Sequence, residues 1–125
     1  MTYLTEKYRQ GIVLPLDDEA EKLVRSYQFD SNSMIEAIIL DEKNGIFSKI
    51  WYSGLFQKIN SEIDTLIDEY EEEIIEYEKL NSVIKILRKY ESLNNRLDDF
   101  DMFIDDLIRL VEKAIQLKRP ICFVF

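Results

Sequence analysis

The chain has 125 residues, with 25 acidic residues against 16 basic ones, a net charge of −9, no histidine, one cysteine and three glycines. Those counts exclude imidazole-based nucleophilic catalysis, the usual zinc and transition-metal sites, and a glycine-rich phosphate loop. The surplus of negative charge disfavours direct binding to nucleic acid.

Apolar residues, 46% of the total, run through nearly the whole sequence, so the chain is expected to fold as one domain spanning residues 1–125. Few helix breakers are present: Gly11, Gly45, Gly54, Pro15 and Pro120. The start of the sequence lacks the apolar core of a signal peptide, and no apolar run is long enough to span a bilayer. The lone Cys122 cannot form an internal disulfide. A cytoplasmic protein with no cofactor and no membrane contact is therefore expected.

In chain order, Gly11-Ile-Val-Leu-Pro-Leu16 reads as a short strand or an extended lead-in. Asp17-Asp18-Glu19 supplies an N-cap and first-turn acids for a helix with Ala20, Leu23, Val24 and Tyr27 on one face, ending near Gln28. Ser33 and Glu36 match a capping box, and Met34, Ile35, Ile38 and Ile39 suit a helix that Gly45 would close. The same stretch carries a hairpin signal, Asn44-Gly45 between two β-branched runs, which would pair 35–41 with 46–52. The helix is the preferred reading. Ser53-Gly54 marks a break.

The strongest pattern follows it. Phe56, Ile59, Ile63, Leu66, Tyr70, Tyr77, Leu80, Ile84 and Leu87 step by three and four, with Ile67 and Ile74 absorbing the drift of a 3.6-residue period. A turn is expected at Asn81-Ser82 or Asn94-Asn95. A last helix begins near Asp98 to Asp101, carries Phe100, Phe103, Ile104, Leu107, Ile108, Val111, Ala114 and Ile115 on one stripe, and stops at Pro120. The tail, Ile121 to Phe125, is wholly apolar and is expected to enter the core or pair as a strand with 11–14. The fold class predicted is mainly α: a bundle of about four to six helices, with a small strand pair from 11–14 and 121–125 or a hairpin at 35–52.

The feature above background is acidic clustering. Glu62 to Glu78 holds nine carboxylates and no Lys or Arg, and Asp98, Asp99, Asp101, Asp105 and Asp106 form a second group. On a continuous helix, seven like-charge pairs one turn apart in the first cluster would cost roughly 1.5–3.5 kcal/mol. Such a surface is either a solvated helix face or a docking site for a basic protein. On the docking reading the contact residues are Asp68, Glu69, Glu72, Glu73, Glu76, Asp98, Asp99, Asp101 and Asp105. Trp51, with Tyr52 beside it, is a candidate hot spot or a core residue. Neither an EF-hand nor a Glu-x-x-His di-metal motif is present, and no carboxylate pair stands out for acid/base work, so a binding protein is expected rather than an enzyme.

In overall character, though not in aligned residues, the chain resembles bacterial immunity proteins of polymorphic toxin and contact-dependent inhibition systems. Dense carboxylates at Glu69 to Glu73 and Asp98 to Asp106, without histidine or a phosphate loop, carry that resemblance. It implies a stoichiometric inhibitor covering the basic active site of a toxin nuclease. The alternatives are an anti-CRISPR-type phage inhibitor, a secretion chaperone and a structural helical homodimer.

Overall fold

Four short segments, the two central ones wholly apolar, meet in one antiparallel sheet. In the computed structural model, which describes residues 11–27, 34–40, 45–68, 72–93 and 99–125, these are β1 (Gly11–Pro15), β2 (Ile35–Ile39), β3 (Glu72–Ile75) and β4 (Ile121–Val124). Their order across the sheet is β2-β1-β4-β3. β1 faces β2 with Val13 opposite Ala37, and it faces β4 with Val13 opposite Cys122. β3 closes the other side, with Ile74 opposite Cys122.

The two central strands explain the two continuous apolar runs of the sequence. A strand covered on both faces needs no polar alternation, and Ile12, Val13, Leu14, Ile121, Cys122, Phe123 and Val124 are all buried. On one face Ile12, Leu14, Ile75, Ile121 and Phe123 join the main core. The opposite face, Val13, Cys122 and Val124, packs with Val24 and is flanked by Ile35, Ala37, Ile39 and Ile74.

The helices are α1 (Asp18–Arg25), α2 (Ile46–Ser53), α3 (Leu55–Ile63), α4 (Leu80–Leu93) and α5 (Asp99–Leu117), with a 3-10 turn at Tyr77–Lys79. α1 starts where its cap predicts: the Asp17 carboxylate accepts from the Ala20 N–H at 2.7 Å. α1 brings Val24 to the second face of the sheet, and α2 to α5 supply the main core. Gly54, at φ 83°, lets the chain leave α2 and enter α3 without a connecting loop. Tyr90 Oη donates to the Ser53 carbonyl at 3.2 Å beside this corner. α5 ends at Lys118, in the left-handed region, with the Arg119 N–H closing on the Ala114 carbonyl. Phe47, Phe56, Phe123 and Phe125 pack ring against ring, with Phe47–Phe125 centroids 4.9 Å apart and Phe56–Phe125 5.0 Å apart.

Several expectations hold: the 11–14 with 121–125 pairing, the first and last helices, the break at Gly54 and the buried Cys122. The mainly α bundle holds in part: the described residues include five α-helices, within the four to six expected, but the sheet is a full layer, so the fold is mixed α/β instead of a pure bundle. Residues 35–39 form a strand, not a helix. Their apolar positions satisfy either period, and β1, far away in sequence, provides the edge that decides between them. The hairpin is also wrong as stated, since 46–53 is helical and β2 pairs with β1. Gly45 precedes a helix instead of closing one.

The long stripe from Phe56 to Leu87 is not one helix. α3 stops at Ile63, where Asp64 takes φ 59°, residues 65–68 belong to no helix or strand, and β3 intervenes before α4. The helical like-charge cost therefore does not arise in that segment. Asn81-Ser82 lies in the first turn of α4, and Asn94-Asn95 falls outside the described residues. Glu36 of the expected capping box sits in β2, and Ser33 lies outside the described residues.

Candidate docking surface

The chain between α3 and β3 is held by one side chain. Asn60 Oδ1 accepts from the Thr65 hydroxyl and from the Ile67 N–H, each at 2.8 Å, and Asn60 Nδ2 donates to the Ile67 carbonyl at 2.9 Å. These bonds satisfy polar groups removed from water: Thr65 is 6% exposed and Ile67 is 1% exposed. Glu73 of β3 accepts from the Leu66 N–H at 2.6 Å, and Lys79 Nζ donates to the Ile63 carbonyl at 3.2 Å. The backbone of 63–67 is thereby tied to three separate elements.

This fixed segment forms a concavity of about 360 Å³ with α2 and α3, lined by Trp51, Asn60, Leu66, Ile67 and Asp68. Trp51 is half-buried: it packs against the core and also lines this concavity. Leu66 is 74% exposed and Tyr52 is 87% exposed. Two predicted contact residues, Trp51 and Asp68, thus meet at one site, and Glu73 is bound to the same segment. Glu72 lies next to Glu73 on the outer strand, opposite Val124, and is exposed.

Glu76 belongs elsewhere. Its carboxylate takes a two-pronged contact from Arg25, both distances 2.8 Å, which draws it toward α1. That bond holds the Glu76 carboxyl below its usual range and raises the Arg25 guanidinium. Arg25 also contacts Glu21 at 3.1 Å, and Arg119 contacts Glu21 at 3.0 Å and Asp18 at 2.9 Å. The chain of alternating charges links α1 to the lead-in of β4 and the exit of β3.

The second acidic group lies on α5. Asp99, Asp105 and Asp106 are exposed and Asp101 is half-buried. Asp106 pairs with Arg109 at 3.2 Å. This part of α5 lies toward β2, where Asp106, Arg109 and Lys113 line a groove with Glu36 and Ile38, and Lys113 pairs with Glu36 at 3.1 Å. β2 and β3 are opposite edges of the sheet. The two acidic groups thus stand on different elements, one on and before β3 and the other on α5. Glu69 and Asp98 lie outside the described residues.

Sequence reasoning missed Leu66, Asn60 and Thr65. The helical period placed Leu66 in the core, and nothing local marks Asn60 as the clamp of a later segment. Among the described residues, no group of three His, Cys, Asp or Glu side chains is placed to hold a metal ion, and no helix is long and apolar enough to cross a membrane. Burial, reinforced by the negative charges of Glu72 and Glu73, pushes the Cys122 thiol up to about 12, so it is no nucleophile in the folded protein.

No protein-family model matches the chain, and no curated protein matches it. Among solved structures, the fold is similar to that of the Neisseria DNA mimic protein DMP12, with a TM-score of 0.60 and 16% identity, over 93% of this chain and 99% of that one. At that identity the likeness establishes a shared fold.

Proposed function

We propose that this chain is a non-catalytic protein inhibitor that docks on the nucleic-acid-binding surface of a basic partner, offering carboxylates where that partner expects phosphates. The observation that carries this reading is an asymmetry in its ion pairs. Every arginine among the described residues, Arg25, Arg88, Arg109 and Arg119, is already engaged by a carboxylate. Asp64, Glu72, Asp99 and Asp105 make no ion pair among the described residues. Of these, Asp64 and Glu72 lie at the end of α3 and on β3, and Asp99 and Asp105 on the first half of α5.

The fold shared with a protein described as a DNA mimic supports the same reading. Complementary charge would speed the encounter and reject acidic competitors. In the finer form of the proposal the partner is a toxin nuclease, and this chain is the immunity protein that neutralises it in the producing cell.

The test is capture of the partner from the native host at low and at moderate salt, followed by titration of the purified pair. The wild-type chain is expected to hold one basic nucleic-acid-binding protein at fixed stoichiometry, to lose affinity as salt rises, and to compete with duplex DNA. Paired reversals, Asp64→Lys with Glu72→Lys and Asp99→Lys with Asp105→Lys, are each expected to weaken binding at least about tenfold. Unchanged affinity in both pairs, or a partner whose nucleic-acid binding persists in the complex, refutes the proposal. A nuclease activity that the chain abolishes selects the immunity form. A partner without such activity removes it.

A further inference from the structure

Leu66 is exposed on a segment whose backbone is fixed by Asn60, Glu73 and buried Ile67. Folding gains little from a leucine in that setting. Single exposed leucines are common and need no explanation. Here, however, the leucine forms one wall of a concavity whose other wall is an indole, and the adjacent Tyr52 is also in water. A rigid surface site of aromatic and aliphatic groups matches the composition of binding hot spots, because little ordering entropy remains to be lost on contact.

The charge around the concavity selects the kind of occupant. Asp68 lines it, Asp64 opens the segment that frames it, Glu73 of β3 is bonded to that segment, and Glu72 precedes Glu73 on the strand. Apolar walls with carboxylates at the rim suit a side chain with an aliphatic stem and a cationic tip. An indole wall distinguishes the two candidates. A guanidinium is planar, weakly hydrated and stacks on aromatic faces while bonding a carboxylate, whereas an ammonium is a compact, strongly hydrated point charge. The free volume of about 360 Å³ leaves room for one such side chain.

We infer that the Trp51–Leu66–Asp68 concavity is an anchor site for one arginine side chain of the basic partner. That the arginine belongs to a protein partner rests on the docking reading above, while the preference of the concavity for arginine can be measured without it.

The probes are blocked tripeptides Gly-Arg-Gly, Gly-Lys-Gly and Gly-citrulline-Gly at low salt. Trp51 is the sole tryptophan, so its indole N–H resonance and its fluorescence report on this wall alone. The arginine peptide is expected to give a saturable shift with a Kd of about 1–10 mM, reasonable for one side chain. The lysine and citrulline peptides are expected to bind at least about fivefold more weakly. Leu66→Ala and Asp68→Asn, both surface changes, should each weaken the arginine peptide about five- to tenfold, and Glu19→Gln, at an exposed position on α1, should leave it unchanged. Circular dichroism of each variant confirms the fold.

No saturable shift by about 50 mM arginine peptide overturns the inference. So does an equal response to lysine, or an Asp68→Asn variant that binds as wild type. A failed peptide titration alongside intact, salt-sensitive capture of the basic protein removes the anchor and leaves the docking proposal. An intact peptide titration with failed capture does the reverse.

Discussion

Replacing Asn60 by Ala tests how the 65–68 segment is held. The substitution deletes three hydrogen bonds at once and leaves the Thr65 hydroxyl, the Ile67 N–H and the Ile67 carbonyl without their partner. A buried polar group left unpaired costs about 1–3 kcal/mol. Asn60 is itself half-buried, so the space vacated by its amide admits some water, and the lower end of that range applies. Three groups at about 1 kcal/mol each give about 3 kcal/mol, or a fall in Tm of roughly 10 °C for a chain of this size. Denaturant titration followed by Trp51 fluorescence measures this directly. Thr65→Val removes one of the same bonds and is expected to cost about 1 kcal/mol. In the double variant the two costs should overlap by about 1 kcal/mol, because both delete the Thr65–Asn60 bond. An Asn60→Ala cost below about 1 kcal/mol, or full additivity with Thr65→Val, would show that burial of Ile63 and Ile67 holds the segment without the amide.

Three further outcomes follow from the fold. Gly54→Ala is expected to cost about 1 kcal/mol through backbone strain at φ 83°, because an added methyl would meet only Tyr90 Oη at 3.7 Å, an ordinary contact; a neutral result in thermal melts would remove that account. Cys122 should resist a thiol reagent at about pH 8 in the native state and react fully once unfolded; rapid stoichiometric labelling of folded protein would contradict its burial. Glu76 has a depressed pKa through Arg25, so its contribution is present above the unfolded carboxyl range and is lost as pH falls through the folded value. With both side chains substantially exposed, the loss between about pH 5 and pH 3 should be about 0.5 kcal/mol, and Glu76→Gln should remove that part of the acid limb in denaturant titrations at stepped pH.

Those features of the fold that local chemistry decides were legible in the sequence. Asp17 announces its cap, Pro120 its stop, and the two uninterrupted apolar runs at 11–16 and 121–125 announce strands too short to be helices. β3 was not legible. Glu72-Glu73-Ile74-Ile75 is half glutamate, a helix former, and its isoleucines continue the spacing set by Ile59 and Ile63; pairing with Cys122 and Phe123 of β4 overrides both signals. The candidate site divides in the same way. The acidic surplus was readable from composition. That Glu76 is taken by Arg25, 51 residues away, and that Trp51 and Asp68 line one concavity, depend on tertiary proximity that no spacing encodes.

The central position of β4 sets the timing of assembly. β1 can pair with β2 soon after both are made, yet its other edge has no sheet partner until residues 121–124 follow, about 110 residues after β1, and the inner edge of β3 waits for the same strand. Contacts of such long sequence separation must overcome loop-closure entropy before they stabilise anything. The growing chain therefore carries one open strand edge from β1 onward and a second from β3 onward, and its vulnerability to aggregation is concentrated before β4 inserts between them.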